Sequence, residues 1–200
     1  MVETTRRREI EEAASSLFRE RGYSGTSVRD IARALDIQGA SLYAHVTSKQ
    51  DVLWSIVERM ATRFETSATA ASAAVGSDPA AQLAALVRNH VLVVTDDIER
   101  ASVFVHEWRA LSSERRTEMA RRRDAYERRF RTVIAAGTDA GVFAPVDPNV
   151  AAAYVLTALN GMVAWYRPGG RIGPEVLADS YADLSMRAVL AKGTVPGGPA

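Results

Sequence analysis

The side chains best suited to chemistry in this 200-residue chain are hydrogen-bonding groups that cluster between Thr26 and Lys49. Apolar residues recur among them at helical spacing and predict two short helices joined by a tight turn. The apolar positions that would pack these helices are Val28, Ile31, Ala32, Leu35, Leu42 and Val46. Two small helices at a steep angle, the second with a polar outer face, predict a helix-turn-helix that enters the DNA major groove.

Ten residues of this segment are predicted to contact double-stranded DNA. Those expected to approach bases or backbone in the groove are Gln38, Gly39, Ala40, Ser41 and Tyr43. Those expected to hold phosphates are Thr26, Ser27, Arg29, Tyr43, His45 and Lys49. Phosphate contacts set the register whereas base edges carry the sequence, so Gln38 is the predicted base contact, with adenine as its partner.

Local capping chemistry positions these side chains. Ser27 with Asp30 three residues later predicts a capping box, and the acidic charge suits the positive end of the helix. Asp36 is expected to end that helix because Asp tolerates the left-handed backbone of a tight turn. Ser48 with Asp51 caps the following helix, and Lys49 falls in its first turn. A cation does not help the helix dipole there, which favours a phosphate contact.

The run LFRERGYSGTSVRDIARALDI, followed by SLYAHVTSKQDVL, resembles the N-terminal domain of TetR-type transcriptional regulators. The similarity covers roughly residues 5 to 60 and implies a regulator, most often a repressor, that binds a palindromic operator. Three places depart from the usual pattern. Asp36 replaces a common Gly, Gln38 replaces a capping Ser or Thr, and Gly39-Ala40 replaces a more usual Lys-Gly pair. These changes predict a recognition helix with one cation fewer and a weak N-cap.

Composition excludes several classes of protein. A net charge of +1 excludes a strongly basic non-specific DNA binder, so DNA affinity must depend on locally placed arginines. The absence of Cys excludes disulfides, thiolate catalysis and Cys-based metal sites. No window approaches the roughly 18 apolar residues that span a bilayer, and the start MVETTRRREIEE lacks the apolar region of a signal peptide. We therefore expect a cytoplasmic protein without a membrane partner.

No arrangement of residues predicts catalysis. The three histidines, His45, His90 and His106, have no metal-ligand spacing. No Ser lies in a nucleophile elbow, and no glycine-rich loop could hold a phosphate. The sequence thus predicts neither an enzyme nor a cofactor. A small hydrolase acting on an acyl thioester is the remaining enzymatic alternative.

The remainder of the chain predicts an all-α body. A long helix runs from about Val52 into the Ala- and Ser-rich residues 67–77. Further helices are expected at about 79–95, 97–111, 113–140, 148–166 and 174–191, separated by Gly and Asp-Pro signals. We predict a three-helix DNA-binding domain in residues 1–50, joined by the long helix to a ligand-binding and dimerisation domain in 51–192. The tail GTVPGGPA, residues 193–200, is expected to be disordered.

The last two predicted helices, 148–166 and 174–191, carry apolar faces richer than one small domain needs. Small residues mixed with Leu and Val allow close packing, so two helices from each of two chains would form a four-helix interface. A protein that binds one DNA half-site per chain must also dimerise to recognise a palindrome. A homodimer is therefore predicted; the alternative is burial of these faces within one chain.

An aromatic cluster in the body predicts a small-molecule site. The proposed ligand-binding residues are Phe104, Trp108, Arg123, Tyr126, Phe130, Asn160 and Trp165. An aromatic stripe is also typical of plain core, but Asn160 on an apolar helix needs a partner if it is buried. Arginines beside apolar walls would suit a ligand with an apolar part and a phosphorylated head.

The C-terminal half resembles TetR-type regulators of fatty-acid, sterol and aromatic-acid breakdown, through VHEWRALSSERR, RDAYERRF and LNGMVAWYRPGG. This resemblance implies an effector that is an acyl-CoA, either long-chain or sterol-derived. Two alternatives remain open. One is a regulator that senses another apolar molecule, such as a drug or an aromatic compound. The other is a ligand-binding protein whose DNA-binding head is vestigial.

Overall fold

The computed structural model describes residues 2–190, with side chains from residue 6 onward. The predicted disordered tail, residues 193–200, lies outside the described residues. Within residues 2–190 all regular elements are helical, and the only strand-like feature is an isolated bridge between Phe143 and Leu190. The helices are α1 (Val2–Arg21), α2 (Val28–Ala34), α3 (Gly39–Tyr43), α4 (Lys49–Ala74), α5 (Pro79–Asp96), α6 (Ile98–His106), α7 (Ser113–Asp139), α8 (Pro148–Trp165) and α9 (Pro174–Val189). The predicted all-α class is confirmed.

The chain divides into two compact units that are interleaved in sequence. The first unit comprises residues 1–63 and 97–123, and the second comprises residues 64–96 and 124–200. Helices α4 and α7 each contribute residues to both units. The division into functional domains at residue 50 stays a prediction.

The first unit is built around the predicted helix-turn-helix. Helix α1 ends where Gly22 takes a φ of 74°, and α2 ends before Asp36, whose φ of 53° lies in the left-handed region. The prediction that Asp36 makes the turn is confirmed. The core side chains of this unit that are at most 1% exposed include Ile10, Phe18, Ile31, Leu42, Leu53 and Ile56.

The second unit packs α5 along α9 around a core of aliphatic side chains. Both Asp-Pro starts form as predicted: Asp78 accepts the Ala81 N–H over 3.0 Å, and Asp147 accepts the Asn149 N–H over 2.8 Å. Gly137 lets the buried ring of Phe143 approach the backbone of α7. A Cβ at position 137 would lie 2.1 Å from Phe143 Cδ2.

Two predicted helices are shorter in the structure. The helix expected at 97–111 ends at His106 and continues as a single 3₁₀ turn over Trp108–Ala110. The recognition helix, expected to reach Val46, ends at Tyr43. No helix within residues 2–190 combines the length and the apolar character that a membrane span requires.

Candidate nucleic-acid interface and effector site

The recognition helix α3 is anchored by one buried side chain and exposes its polar side chains. Leu42 is fully buried, whereas Gln38, Ser41 and Tyr43 are exposed, Tyr43 by 56%. Gln38 occupies the N-cap position but makes no side-chain capping bond, as the sequence predicts. Its amide therefore keeps its donors and acceptor for a base edge.

Helix α2 is held by the predicted capping box. Ser27 Oγ accepts the Asp30 N–H over 3.2 Å, and Asp30 Oδ2 accepts the Ser27 N–H over 2.9 Å. The hydrogen bonds from the Ser27 side chain and backbone hold the pKa of Asp30 below its ordinary value. The exposed side chains of Arg29 and Arg33 border a groove of about 420 Å³ that continues to Gln38. Two guanidinium groups thus lie beside the predicted base-reading residue.

Two predicted phosphate contacts have side chains directed inward. Thr26 is 2% exposed, and its hydroxyl donates to the carbonyl oxygens of Gly22 and Leu17 over 3.0 and 3.3 Å. Its side chain is therefore engaged with the end of α1, so a phosphate could meet only its backbone. His45, expected on the outside, is half-buried, and within the described residues its Nδ1 is buried without a hydrogen-bond partner.

Lys49 serves the fold as well as the candidate interface. Its Nζ donates to the carbonyl oxygens of Tyr23 and Thr26 over 2.8 and 2.7 Å and lies 4.0 Å from the centre of the Tyr23 ring. An ammonium has three donors, so one remains after these two bonds. The predicted phosphate contact stays a prediction, and the structure supplies a second reason for a cation at this position.

Three of the seven predicted ligand-binding residues meet in the first unit. The Arg123 guanidinium lies 4.9 Å from the centre of the Phe104 ring and 5.2 Å from that of Trp108. Arg109 stacks on Trp108 as well, at 4.7 Å. Within the described residues the Trp108 indole N–H is buried without a hydrogen-bond partner. The arrangement offers a cation, two aromatic faces and a free donor.

Two more predicted ligand residues belong to an aromatic cluster of the second unit. The rings of Tyr126 and Phe130 lie 5.6 Å apart, and Tyr126 also meets Phe64 at 5.6 Å. His90 Nδ1 lies 3.2 Å from the Tyr126 hydroxyl, and burial raises the pKa of that hydroxyl. Phe64 and His90 are not among the residues predicted from the sequence to bind a ligand. His90 carries a recognisable signal, because it is a titratable side chain that directly precedes the apolar run VLVV.

The last two predicted ligand residues lie on α8. Asn160 is half-buried, and Trp165 at the helix end is 48% exposed. The Trp165 ring lies 6.4 Å from that of Tyr166. The seven residues therefore form three groups. The first unit holds Phe104, Trp108 and Arg123; the second unit holds Tyr126 with Phe130, and separately Asn160 and Trp165 on α8.

Helices α8 and α9 also expose large apolar side chains. On α8 these are Val150 and Tyr154, exposed by 67% and 63%; on α9 they are Val176 and Leu184, exposed by 62% and 64%. The opposite sides of both helices are buried within the second unit. Exposed apolar patches of this kind are typical of surfaces that bind another molecule.

Comparison with known proteins gives consistent results for both ends of the chain. The family described as bacterial regulatory proteins of the tetR family matches residues 10–56. The tetracyclin repressor-like C-terminal domain matches residues 76–189. The HTH-type transcriptional repressor KstR2 of Rhodococcus jostii is 29% identical over 187 residues, which cover 90% of this chain and 89% of the relative.

Two solved structures share the fold. A tetR-family regulatory protein from Rhodococcus RHA1 aligns with a TM-score of 0.83 and 28% identity, covering 93% of this chain and 98% of that one. AibR in complex with isovaleryl coenzyme A and operator DNA aligns with a TM-score of 0.79 and 29% identity, covering 90% and 97%. With matches over the helix-turn-helix and over more than half of the chain, this protein belongs to the TetR family of bacterial transcriptional regulators.

Proposed function

We propose that this protein is a transcriptional repressor that binds a palindromic operator as a homodimer and is released by an acyl-CoA. The observation that carries DNA binding is α3, where Gln38, Ser41 and Tyr43 are exposed around the buried Leu42. Gln38 would read a base, while Arg29 and the remaining donor of Lys49 would meet phosphates. Repression is supported by the relation to KstR2, a repressor by name.

The acyl-CoA effector is supported by chemistry on this chain and by one relative. Arg123 against Phe104 and Trp108 offers a cation and aromatic faces to a phosphorylated, adenine-bearing head. AibR, 29% identical, has been solved with isovaleryl coenzyme A and operator DNA together. An effector of this kind acts by binding two arrangements of the protein with different affinity, typically by 1–3 kcal/mol.

Fluorescence polarisation of a labelled duplex from the region upstream of its own gene tests the proposal. We expect tight binding that palmitoyl-CoA releases and that neither palmitate nor free CoA affects. Release by none of these would discard the acyl-CoA and direct the search to drugs or aromatic compounds. Failure to bind any upstream duplex would favour a ligand-binding protein with a vestigial DNA-binding head.

The homodimer is proposed through α8 and α9. A charge placed within an apolar interface loses its hydration, so Tyr154→Glu with Leu184→Glu should give a monomer. Glu58→Gln, an exposed change in the first unit, is the control. Analytical ultracentrifugation distinguishes the outcomes, and a dimer that survives both glutamates would exclude this interface.

A further inference from the structure

The side chain of Gln50 joins the first turn of α4 to the segment between α6 and α7. Its Nε2 donates to the carbonyl oxygen of Ala110 over 2.7 Å, and its Oε1 accepts the backbone N–H of Ser112 over 3.1 Å. These partners lie 60 and 62 residues further along the chain. One amide thus satisfies the carbonyl of Ala110, at the end of the 3₁₀ turn, and the backbone N–H of Ser112, just before α7.

An ion pair beside Gln50 makes the same connection. Arg115 Nη2 lies 2.6 Å from Asp51 Oδ1, and its guanidinium lies 5.6 Å from the centre of the Trp54 ring. Ser48 donates to the other carboxylate oxygen of Asp51 over 2.7 Å. The hydrogen bonds from Ser48 and Arg115 hold the pKa of Asp51 below its ordinary value, so this carboxylate is charged at neutral pH.

The same turn of α4 also holds the helix-turn-helix. Lys49 bonds the carbonyl oxygens of Tyr23 and Thr26, in the turn that precedes α2. Gln50, the next residue, bonds Ala110 and Ser112. The first turn of α4 therefore joins two other segments of the first unit: the turn before α2, through Lys49, and residues 110–112, through Gln50.

We infer that Gln50 is a positioning residue for operator binding, which holds the DNA-binding helices in one orientation against residues 110–112. The inference rests on the proposed function. Specific binding requires each recognition helix to meet its half-site at a defined angle, whereas non-specific binding depends mainly on phosphate charge. A loosened Gln50 bridge therefore weakens operator binding selectively, because the bridge itself carries no charge and need not touch DNA.

The test compares Gln50→Met and Gln50→Glu with wild type. Met keeps the length of the side chain and removes all its hydrogen bonds; Glu keeps the acceptor and removes the donor to Ala110. Gln82→Met is the matched control, since Gln82 donates to the Gly76 carbonyl over 2.6 Å in the second unit. Dissociation constants are measured for the operator duplex and for a shuffled duplex of equal length, together with the thermal midpoint.

We expect Gln50→Met, which loses two neutral hydrogen bonds, to weaken operator binding about tenfold, and Gln50→Glu, which loses one, to weaken it about threefold, with shuffled-duplex binding changed less than about twofold. Gln82→Met should leave both constants unchanged. Unchanged operator binding in the Gln50 variants would overturn the inference. Equal losses on both duplexes would also overturn it, because they indicate unfolding rather than lost orientation. If wild type itself does not prefer the operator, the proposed function has failed before any variant is compared.

Discussion

Replacing Lys49 by Met separates its two roles. Met keeps the length of the apolar stem but removes two charge-assisted bonds to carbonyl oxygens, at 2.8 and 2.7 Å, and the contact with the Tyr23 ring. Buried bonds of this type contribute about 1.5–3 kcal/mol each. Lys49 is half-buried, so we take about 1 kcal/mol for each bond and about 0.5 kcal/mol for the ring contact. The variant should lose about 2.5 kcal/mol of unfolding free energy.

For a chain of this size that loss lowers the thermal midpoint by about 5–10 °C, which circular dichroism measures directly. Arg128→Met is the control for removal of a positive charge, since Arg128 is exposed and pairs with Asp124. If the third donor of Lys49 also meets a phosphate, the slope of log K against log salt becomes shallower by about 0.9. A midpoint within about 1 °C of wild type would refute the anchoring role, and an unchanged slope would refute the phosphate contact.

Three further predictions concern stability. Gly137→Ala should cost about 1–3 kcal/mol because its Cβ would overlap the Phe143 ring; Phe143→Leu in the same chain should recover part of the loss, and strictly additive losses would contradict the overlap. Burial raises the pKa of Tyr126, so above about pH 10 the unfolded state ionises first and stability falls. Urea midpoints of wild type should therefore fall more steeply there than those of Tyr126→Phe, and parallel curves would argue against a buried hydroxyl. Ser27→Ala removes the N-cap of α2 and should cost about 0.5–2 kcal/mol in thermal unfolding, more than Ser24→Ala at an exposed position; equal effects would show that the cap is energetically silent.

Local chemistry made the helix-turn-helix predictable. The capping box of Ser27 and Asp30, the left-handed Asp36 and the cap at Ser48 each depend on residues within a few positions of one another. Such interactions are readable from the sequence because the partner is close along the chain. The same holds for the Asp-Pro starts of α5 and α8.

Interactions between distant segments were not predictable in this way. The sequence places Lys49 beside a DNA-binding motif, but only the fold shows that its ammonium binds backbone carbonyls 26 and 23 residues earlier in the chain. Gln50 has no local signal at all, because its partners lie 60 and 62 residues away. The predicted ligand residues illustrate the same limit: aromatic spacing found Tyr126 and Phe130, while Phe64 and His90 join them from other helices.

The interleaving of the two compact units has a consequence for protein engineering. A simple chimaera of two such regulators would fuse the DNA-binding domain of one to the ligand-binding domain of the other at a single crossover. Here the contacts of the DNA-binding helices extend into residues 97–123, so a crossover after residue 50 would separate Gln50 from its partners Ala110 and Ser112. A chimaera that keeps these contacts would take residues 1–63 and residues 97–123 from the same parent protein.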